Sequence, residues 1–184
     1  MVAQIEANHR QLAFNFPLAL GMVGDLGQSL DATLTAVRAG LSHEQEIQAQ
    51  ARNLALRAEK DADRAAQAAR IAKSAEREPM SMARAMAEIA RGLPEGAIVV
   101  EESITANLDL ARSFTLKEPG DYLSGRGGGI GQGLAGALGA QVAHPGRTVL
   151  CISGDGSAMY SIQALRTAAH HAFHLVFVLL ANRE

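Results

Sequence analysis

The chain has no tryptophan, two tyrosines and five phenylalanines, so aromatic residues fill only 4% of its 184 positions. Single-stranded nucleic acid is gripped by aromatic stacking in basic grooves. Neither is on offer, because 17 Lys and Arg stand against 19 Asp and Glu for a formal charge of −2. No nucleic-acid partner is expected. A single cysteine, Cys151, excludes a disulfide framework; it reads as a small buried hydrophobe in a protein of a reducing compartment such as the cytoplasm. No apolar run approaches the roughly 20 residues that span a bilayer, so no membrane partner is expected. The segment RQLAFNFPLALGMVG has something of a signal-peptide core, but Asn15 and Pro17 interrupt it and no clean small-x-small cleavage site follows.

What is present is a 48% hydrophobic chain, enough for a core in one ordinary domain or one and a fraction. Leu18 to Val23 reads as a short strand, followed by a Gly-Asp turn and a helix from about Gln28 to Arg38 with Gly40 near its end, a lone strand-turn-helix unit. Ser42 to Glu78 is rich in Ala, Glu, Gln, Arg and Lys, holds no Gly or Pro, and stops at Pro79. That composition predicts a long solvated helix. Ile47, Leu54, Leu56 and Ile71 are too sparse for sustained heptads, which favours a connecting helix over a coiled coil.

A different texture begins near Met80. An amphipathic helix capped by Ser81 leads through GLPEG to the strand AIVV, and a second helix starts near Thr105. KEPGDYLSGRGGGIG reads as a loop, IGQGLAGALGAQVA as a helix of small residues, TVLCIS as a buried strand, SAMYSIQALRTAAHH as one helix and LVFVLL as a last buried strand. Alternating strands and helices predict the α/β class, a partial doubly wound parallel sheet preceded by a long helical linker. About three strands are visible, few for such a sheet, and the chain reads as incomplete at both ends.

Two motifs carry chemistry. Gly131, Gly133 and Gly136 satisfy G-x-G-x-x-G, with Asp155 about twenty residues on, the formal pattern of a Rossmann dinucleotide site. That fingerprint wants a buried strand before its first glycine, and GDYLSGRGG is short and polar; glycines packing a helix closely on its neighbour are the competing explanation. The second motif is GDGSAMY, where Gly154 and Gly156 flank Asp155 at the end of TVLCIS. Alone, Asp155 could be a turn or N-cap residue and Asn182 a loop residue. As residues ending successive parallel strands, however, their oxygens can converge into a hard site suited to Mg²⁺ with room for a diphosphate. His170, His171 and His174 cluster near a helix end and read as surface or turn histidines rather than metal ligands.

GDGSAMYSIQAL followed by ANRE resembles the Gly-Asp-Gly to Asn-Asn signature of thiamine-diphosphate enzymes, and the stretch from PGDYLSGRGGGIG to GDG resembles the preceding part of their diphosphate-binding domain. The likeness is to benzoylformate decarboxylase and acetolactate synthase relatives; it is strongest from about Gly120 to Glu184 and weaker back to Met80. Residues 12 to 40 look like the last strand and helix of the family's middle domain, so the expected division is 1–42 for that remnant, 43–79 for the linker and 80–184 for the first part of the cofactor-binding domain.

The resemblance implies thiamine diphosphate and Mg²⁺ as cofactors. Mg²⁺ would be held by the side chains of Asp155 and Asn182 and the carbonyl of Glu184. Gly154, Gly156 and Ser157 would hold the diphosphate, the Gly128 carbonyl would meet the 4′-amino group, and Ile130 would lie under the bent cofactor. Ser103, Ile104 and Thr105 are weaker candidates near the phosphates. The implied activity is decarboxylation or carboligation of a 2-keto acid, in a homo-oligomer. No catalytic residue is assigned, because in the family the glutamate that protonates the aminopyrimidine comes from a separate N-terminal domain and Glu101 and Glu102 lie in the wrong domain. The chain is therefore expected to be inactive alone, with a non-catalytic binding or association piece as the alternative. Ala181 replaces the usual first Asn, no Pro precedes the last strand, and Arg166 stands where relatives often carry Trp, placing a charge where an indole packs.

Overall fold

A computed structural model describes residues 1–125 and 127–181. The chain divides into two compact units, Met1–Asp61 and Ala62–Glu184. Among the described residues no helix is long and apolar enough to cross a membrane.

In the first unit, strand β1 (Ala3–Glu6) pairs in parallel with β2 (Leu20–Val23). The sequence reading saw only the second strand. AQIE is short and carries one strongly apolar residue, too weak a pattern to stand out. Helix α1 (Leu26–Gly40) begins where Asp25 Oδ1 accepts the Gln28 N–H at 2.9 Å. Its leucines 26, 30 and 34 are exposed, and no residue of 1–61 is buried. Helix α2 (His43–Lys73) follows, inside the stretch whose composition predicts it, and continues past Asp61 into the second unit.

The second unit carries the core. Helix α3 (Met82–Gly92) starts at Ser81, whose Oγ accepts the Arg84 N–H, as the capping residue predicts. Strand β3 (Ile98–Glu102) leads to α4 (Asn107–Ser113), β4 (Tyr122–Ser124), α5 (Gln132–Ala143) and β5 (Val149–Gly154). Two short helices, α6 (Asp155–Met159) and α7 (Ala164–His170), then precede β6 (Leu175–Leu180). The four strands form one parallel sheet in the order β4-β3-β5-β6.

Strand alternation sends successive side chains to opposite faces. Ile98, Val100, Val149 and Cys151 pack with Leu134 and Ala137 of α5 and with Ala158 and Ala164. Val99, Leu150 and Ile152 pack on the other side with Met86 of α3 and Leu110 and Phe114. Both central strands are therefore apolar on both faces, which explains their unbroken hydrophobic runs. Burial pushes the Cys151 thiol up to about 12, and the nearby Glu102 charge adds to the shift.

Further expectations need correction. The loop KEPGDYLSG contains β4, whose three exposed residues form an edge strand too short and polar to announce itself. The single helix expected from Ser157 to His171 is broken at residues 160–163, where Tyr160, Ser161 and Ala164 donate to carbonyls three residues back. Serines 157 and 161 and Tyr160 are poor helix formers, and the tighter i to i−3 pattern turns the chain between α6 and α7. Arg166 is exposed. Within this chain its charge is therefore not set among apolar side chains.

At the amino ends of the strands, Arg147 ties three segments together. Its Nε donates to the Gly96 carbonyl at 2.6 Å, and its Nη2 to Asp121 Oδ1 at 2.5 Å and more distantly to the Ala97 carbonyl at 3.4 Å. Asp121 Oδ2 also accepts the N–H groups of Lys117 and Glu118. The Glu118 amide, followed by the Arg147 side chain, holds the Asp121 carboxyl below its ordinary value of 3.8. A depressed carboxyl stabilises the fold above that ordinary value, and this contribution disappears as pH falls through the lower folded value. Asp121→Asn is therefore expected to lower the unfolding midpoint at pH 6 and to flatten its decline below about pH 4. Thermal melts from pH 6 to pH 2 check this; parallel declines in variant and parent would refute it.

Candidate active site

β3 and β5 are neighbours, yet the chain leaves them toward opposite faces. After β3 it runs into α4, which belongs to the layer of Met86 and Leu110. After β5 it runs into α6, whose Ala158 belongs to the layer of Leu134. The crevice between such strands, at their carboxyl ends, is where open α/β sheets take ligands. Ser103 to Thr105 follow β3 there, and Gly154 to Ser157 close β5.

A cavity of about 460 Å³ opens at this place. Ser103, Ile104, Thr105, Gly154, Asp155, Gly156 and Ser157 all line it, so two stretches roughly fifty positions apart converge there. Met80, just before α3, and Met82 and Ala85 from its start, with Leu179 and Leu180 of β6, add an apolar wall. Those five were missed by sequence reasoning. Nothing in MSMARA separates a ligand-facing methionine from a core one, since both serve an amphipathic helix.

Asp155 stands in the first turn of α6, half exposed, and its Oδ1 accepts the Gly156 N–H at 2.9 Å. A Cβ placed on Gly156 would meet no atom within 4 Å, so the backbone here borders open space. The dipole of a five-residue helix is slight; the local N–H groups and the bare backbone are what α6 contributes. Asn182 and Glu184 lie outside the described residues. Among the described residues no three His, Cys, Asp or Glu side chains gather closely enough to hold a metal ion.

Ser103 has its donors committed inward: its N–H and Oγ–H both bond Glu101 Oε1, at 2.5 and 2.7 Å. Glu101 Oε2 accepts from the Tyr122 hydroxyl at 3.1 Å. Burial raises the pKa of the Tyr122 phenol above its ordinary value, and the Glu101 charge and this hydrogen bond add to the shift. Ile104 is 84% exposed at the rim. Gly128 and Ile130 do not line the cavity; they lie in the turn before α5, with Gly128 in the left-handed region at φ 71°. The same turn reaches α6 through Gly131, where a Cβ would stand 2.7 Å from the Cβ of Tyr160.

The glycines of the dinucleotide fingerprint serve packing. A Cβ on Gly133 would lie 2.8 Å from both the Cβ and Oε2 of Glu102, and one on Gly136 3.8 Å from Val100. The Glu102 carboxylate also occupies the first amides of α5, the place where a dinucleotide pyrophosphate has to sit. That excludes the Rossmann reading. A second cavity of about 550 Å³ lies at the opposite end of the sheet, bordered by Gly96, Ala97 and Asp121. It is larger, but it faces the amino ends of the strands, away from the switch point.

Residues 105–184 match the family described as thiamine pyrophosphate enzyme, C-terminal TPP binding domain. The match covers less than half of the chain. Benzoylformate decarboxylase of Pseudomonas aeruginosa is 44% identical over 89 residues, 48% of this chain and 17% of that protein. The acetolactate synthase isozyme 1 large subunit of Escherichia coli is 33% identical over 106 residues, 57% of this chain and 19% of its own length. The chain thus spans less than a fifth of the curated relatives it matches. Among solved structures, a Rhodococcus jostii thiamine diphosphate-dependent 4-hydroxybenzoylformate decarboxylase superposes with a TM-score of 0.54 at 38% identity, over 56% of this chain and 20% of that one. A Mycobacterium smegmatis protein described as a thiamin diphosphate-dependent enzyme superposes with a TM-score of 0.71 at 26% identity, over 99% of this chain and 32% of its own. The crevice between β3 and β5 lies within or beside the matched thiamine pyrophosphate-binding segment, and all of GDGSAMY falls inside it.

Proposed function

We propose that this chain supplies the diphosphate-and-metal half of a thiamine-diphosphate-dependent enzyme that decarboxylates or ligates 2-keto acids. The observation that carries the reading is the convergence of 103–105 with 154–157 on one open crevice of a domain whose residues 105–184 match this family. In this reading Mg²⁺ is held by Asp155, Asn182 and the Glu184 carbonyl. Gly154, Gly156 and Ser157 hold the diphosphate, with Ser103, Ile104 and Thr105 on its other side. The Gly128 carbonyl would meet the 4′-amino group and Ile130 would lie under the bent cofactor. The bound cofactor supplies the electron sink that makes loss of CO₂ from a 2-keto acid feasible. The protein's task is to place it and to keep the metal coordinated by hard oxygens.

The same reading assigns 1–42 to the end of a middle domain, 43–79 to a connecting helix and 80–184 to the cofactor-binding region, within a homo-oligomer. Glu101 and Glu102, the carboxylates at the end of β3, are already bonded to Ser103 and Tyr122 and to the start of α5. Neither is free to protonate an aminopyrimidine. The acid for that step must come from another domain or subunit, so turnover by this chain alone is not expected.

Calorimetric titration of the chain with thiamine diphosphate in the presence of Mg²⁺ tests the reading. Saturable heat that vanishes when EDTA removes the metal is the expected result, and no heat at millimolar cofactor would sink it. A parallel assay of CO₂ release from pyruvate and benzoylformate is expected to give no turnover; robust turnover would overturn the assignment of the acid to another domain.

A further inference from the structure

The amino end of α5 has an unusual cap. Its N-cap residue is Gly131, at φ 91°, which has no side chain to offer. Helices normally satisfy their first free N–H groups with a Ser, Thr, Asp or Asn at that position. Here the acceptor comes from a neighbouring strand: Glu102 Oε1 accepts the Gln132 N–H and Oε2 the Gly133 N–H, each at 2.9 Å. Strand alternation explains the reach. Glu102 shares the face of Val100, two residues earlier, and Val100 packs in the α5 layer. The missing Cβ of Gly133 lets the carboxylate approach, since a methyl there would collide with Glu102 at 2.8 Å. A carboxylate at this end also complements the helix dipole.

The cap reaches further than α5. Gln132, whose N–H it takes, turns its side chain back so that Nε2 donates to the Gly129 carbonyl at 3.0 Å. Gly127 and Gly128, both left-handed, have open space around them and no side chains to anchor the turn. Residues 127–131 are thus held from their carboxyl end by Gln132 and through it by Glu102.

We propose that Glu102 is a positioning residue: its carboxylate fixes the first turn of α5 and thereby the Gly127–Gly131 turn that presents Gly128 and Ile130. This rests on the function proposed above for Gly128 and Ile130, although the clamp itself does not.

Two measurements on the full chain separate them. Amide hydrogen exchange in Glu102→Gln and Glu102→Ala is expected to accelerate at Gln132 and Gly133 by about tenfold or more, the scale of losing a charge-assisted bond, while Val99 and Cys151 keep their protection. The second compares Mg²⁺ with thiamine diphosphate against Mg²⁺ with inorganic pyrophosphate by calorimetry. Because the Gly turn serves the rings and Gly154 to Ser157 the phosphates, both variants are expected to lose about tenfold for thiamine diphosphate and to bind pyrophosphate as the parent does. Gly133→Ala, which displaces the carboxylate and leaves it in the chain, is expected to show the same split should Glu102→Ala not fold. Unchanged exchange at Gln132 and Gly133 would overturn the clamp. Equal losses for the two ligands, or none for either, would overturn positioning. A parent chain that takes pyrophosphate but holds thiamine diphosphate no tighter would overturn the assignment of the Gly turn to the rings, and the proposal of positioning with it, with the exchange data still deciding the clamp.

Discussion

Asp155→Ala is expected to weaken Mg²⁺-dependent binding of thiamine diphosphate at least about 100-fold, since even partners one shell removed from a metal cost 10- to 100-fold when mutated. Asp155 is the carboxylate that lines the crevice at the end of β5, and beyond its bond to the Gly156 N–H it has a second oxygen to offer. A diphosphate brings negative charge into a place where, among the described lining residues, the one charged side chain is also negative. Without a divalent cation the two repel; with one, the carboxylate becomes the anchor. Asp155→Asn separates the roles, because an amide oxygen can still accept the Gly156 N–H while the ligand set loses the negative charge that offsets the metal's. Calorimetry with and without Mg²⁺ is the measurement, and the melting temperature of the unliganded variants should stay close to the parent's. Equal affinities for parent and Asp155→Ala would remove Asp155 from the metal site.

Gly131→Ala should cost about 3 kcal/mol of stability, the largest effect expected of any single methyl added to the second unit. Part is conformational: φ is 91°, where a non-glycine residue pays about 1–2 kcal/mol. The rest is steric, because the new Cβ would fall 2.7 Å from the Tyr160 Cβ, and forcing an extra methyl into a filled space costs about 1–3 kcal/mol. Chemical denaturation reads the loss directly. Tyr160→Gly in the same background should recover the steric part and leave the conformational part, so a double variant no more stable than Gly131→Ala would show that Tyr160 is not what the methyl meets.

Much of the second unit was legible in sequence because its central strands obey simple rules. AIVV and TVLCIS are apolar on both faces, and only a strand covered by helices on two sides needs that. The GDG turn was legible as a turn, because two glycines flank an acid at the end of a buried strand; its assignment to a diphosphate came with the family resemblance. What escaped follows from short or composite signals. β1 and β4 are too brief for periodicity to register. The break between α6 and α7 depends on modest propensities at Ser157, Tyr160 and Ser161. The Glu102 cap was invisible because its acceptor and donors are thirty residues apart, joined only once β3 lies against α5. Its sole trace is negative: a helix opening on Gly131 with no capping side chain of its own. Asn182 and Glu184, read as metal ligands from the motif, lie outside the described residues and await the binding experiments.

The crevice is made of the ends of two strands that meet only through each other. Residues 103–105 and 154–157 have no local structure that would hold them together before Val99, Val100 and Glu101 come into register with Leu150, Cys151 and Ile152. That pairing is also the middle of the hydrophobic core. Any ligand seated there binds the folded chain and not the unfolded one, and so adds its binding free energy to the stability of the whole unit. Cofactor supply and the lifetime of the folded domain are in this way one quantity, set at a single seam of the sheet.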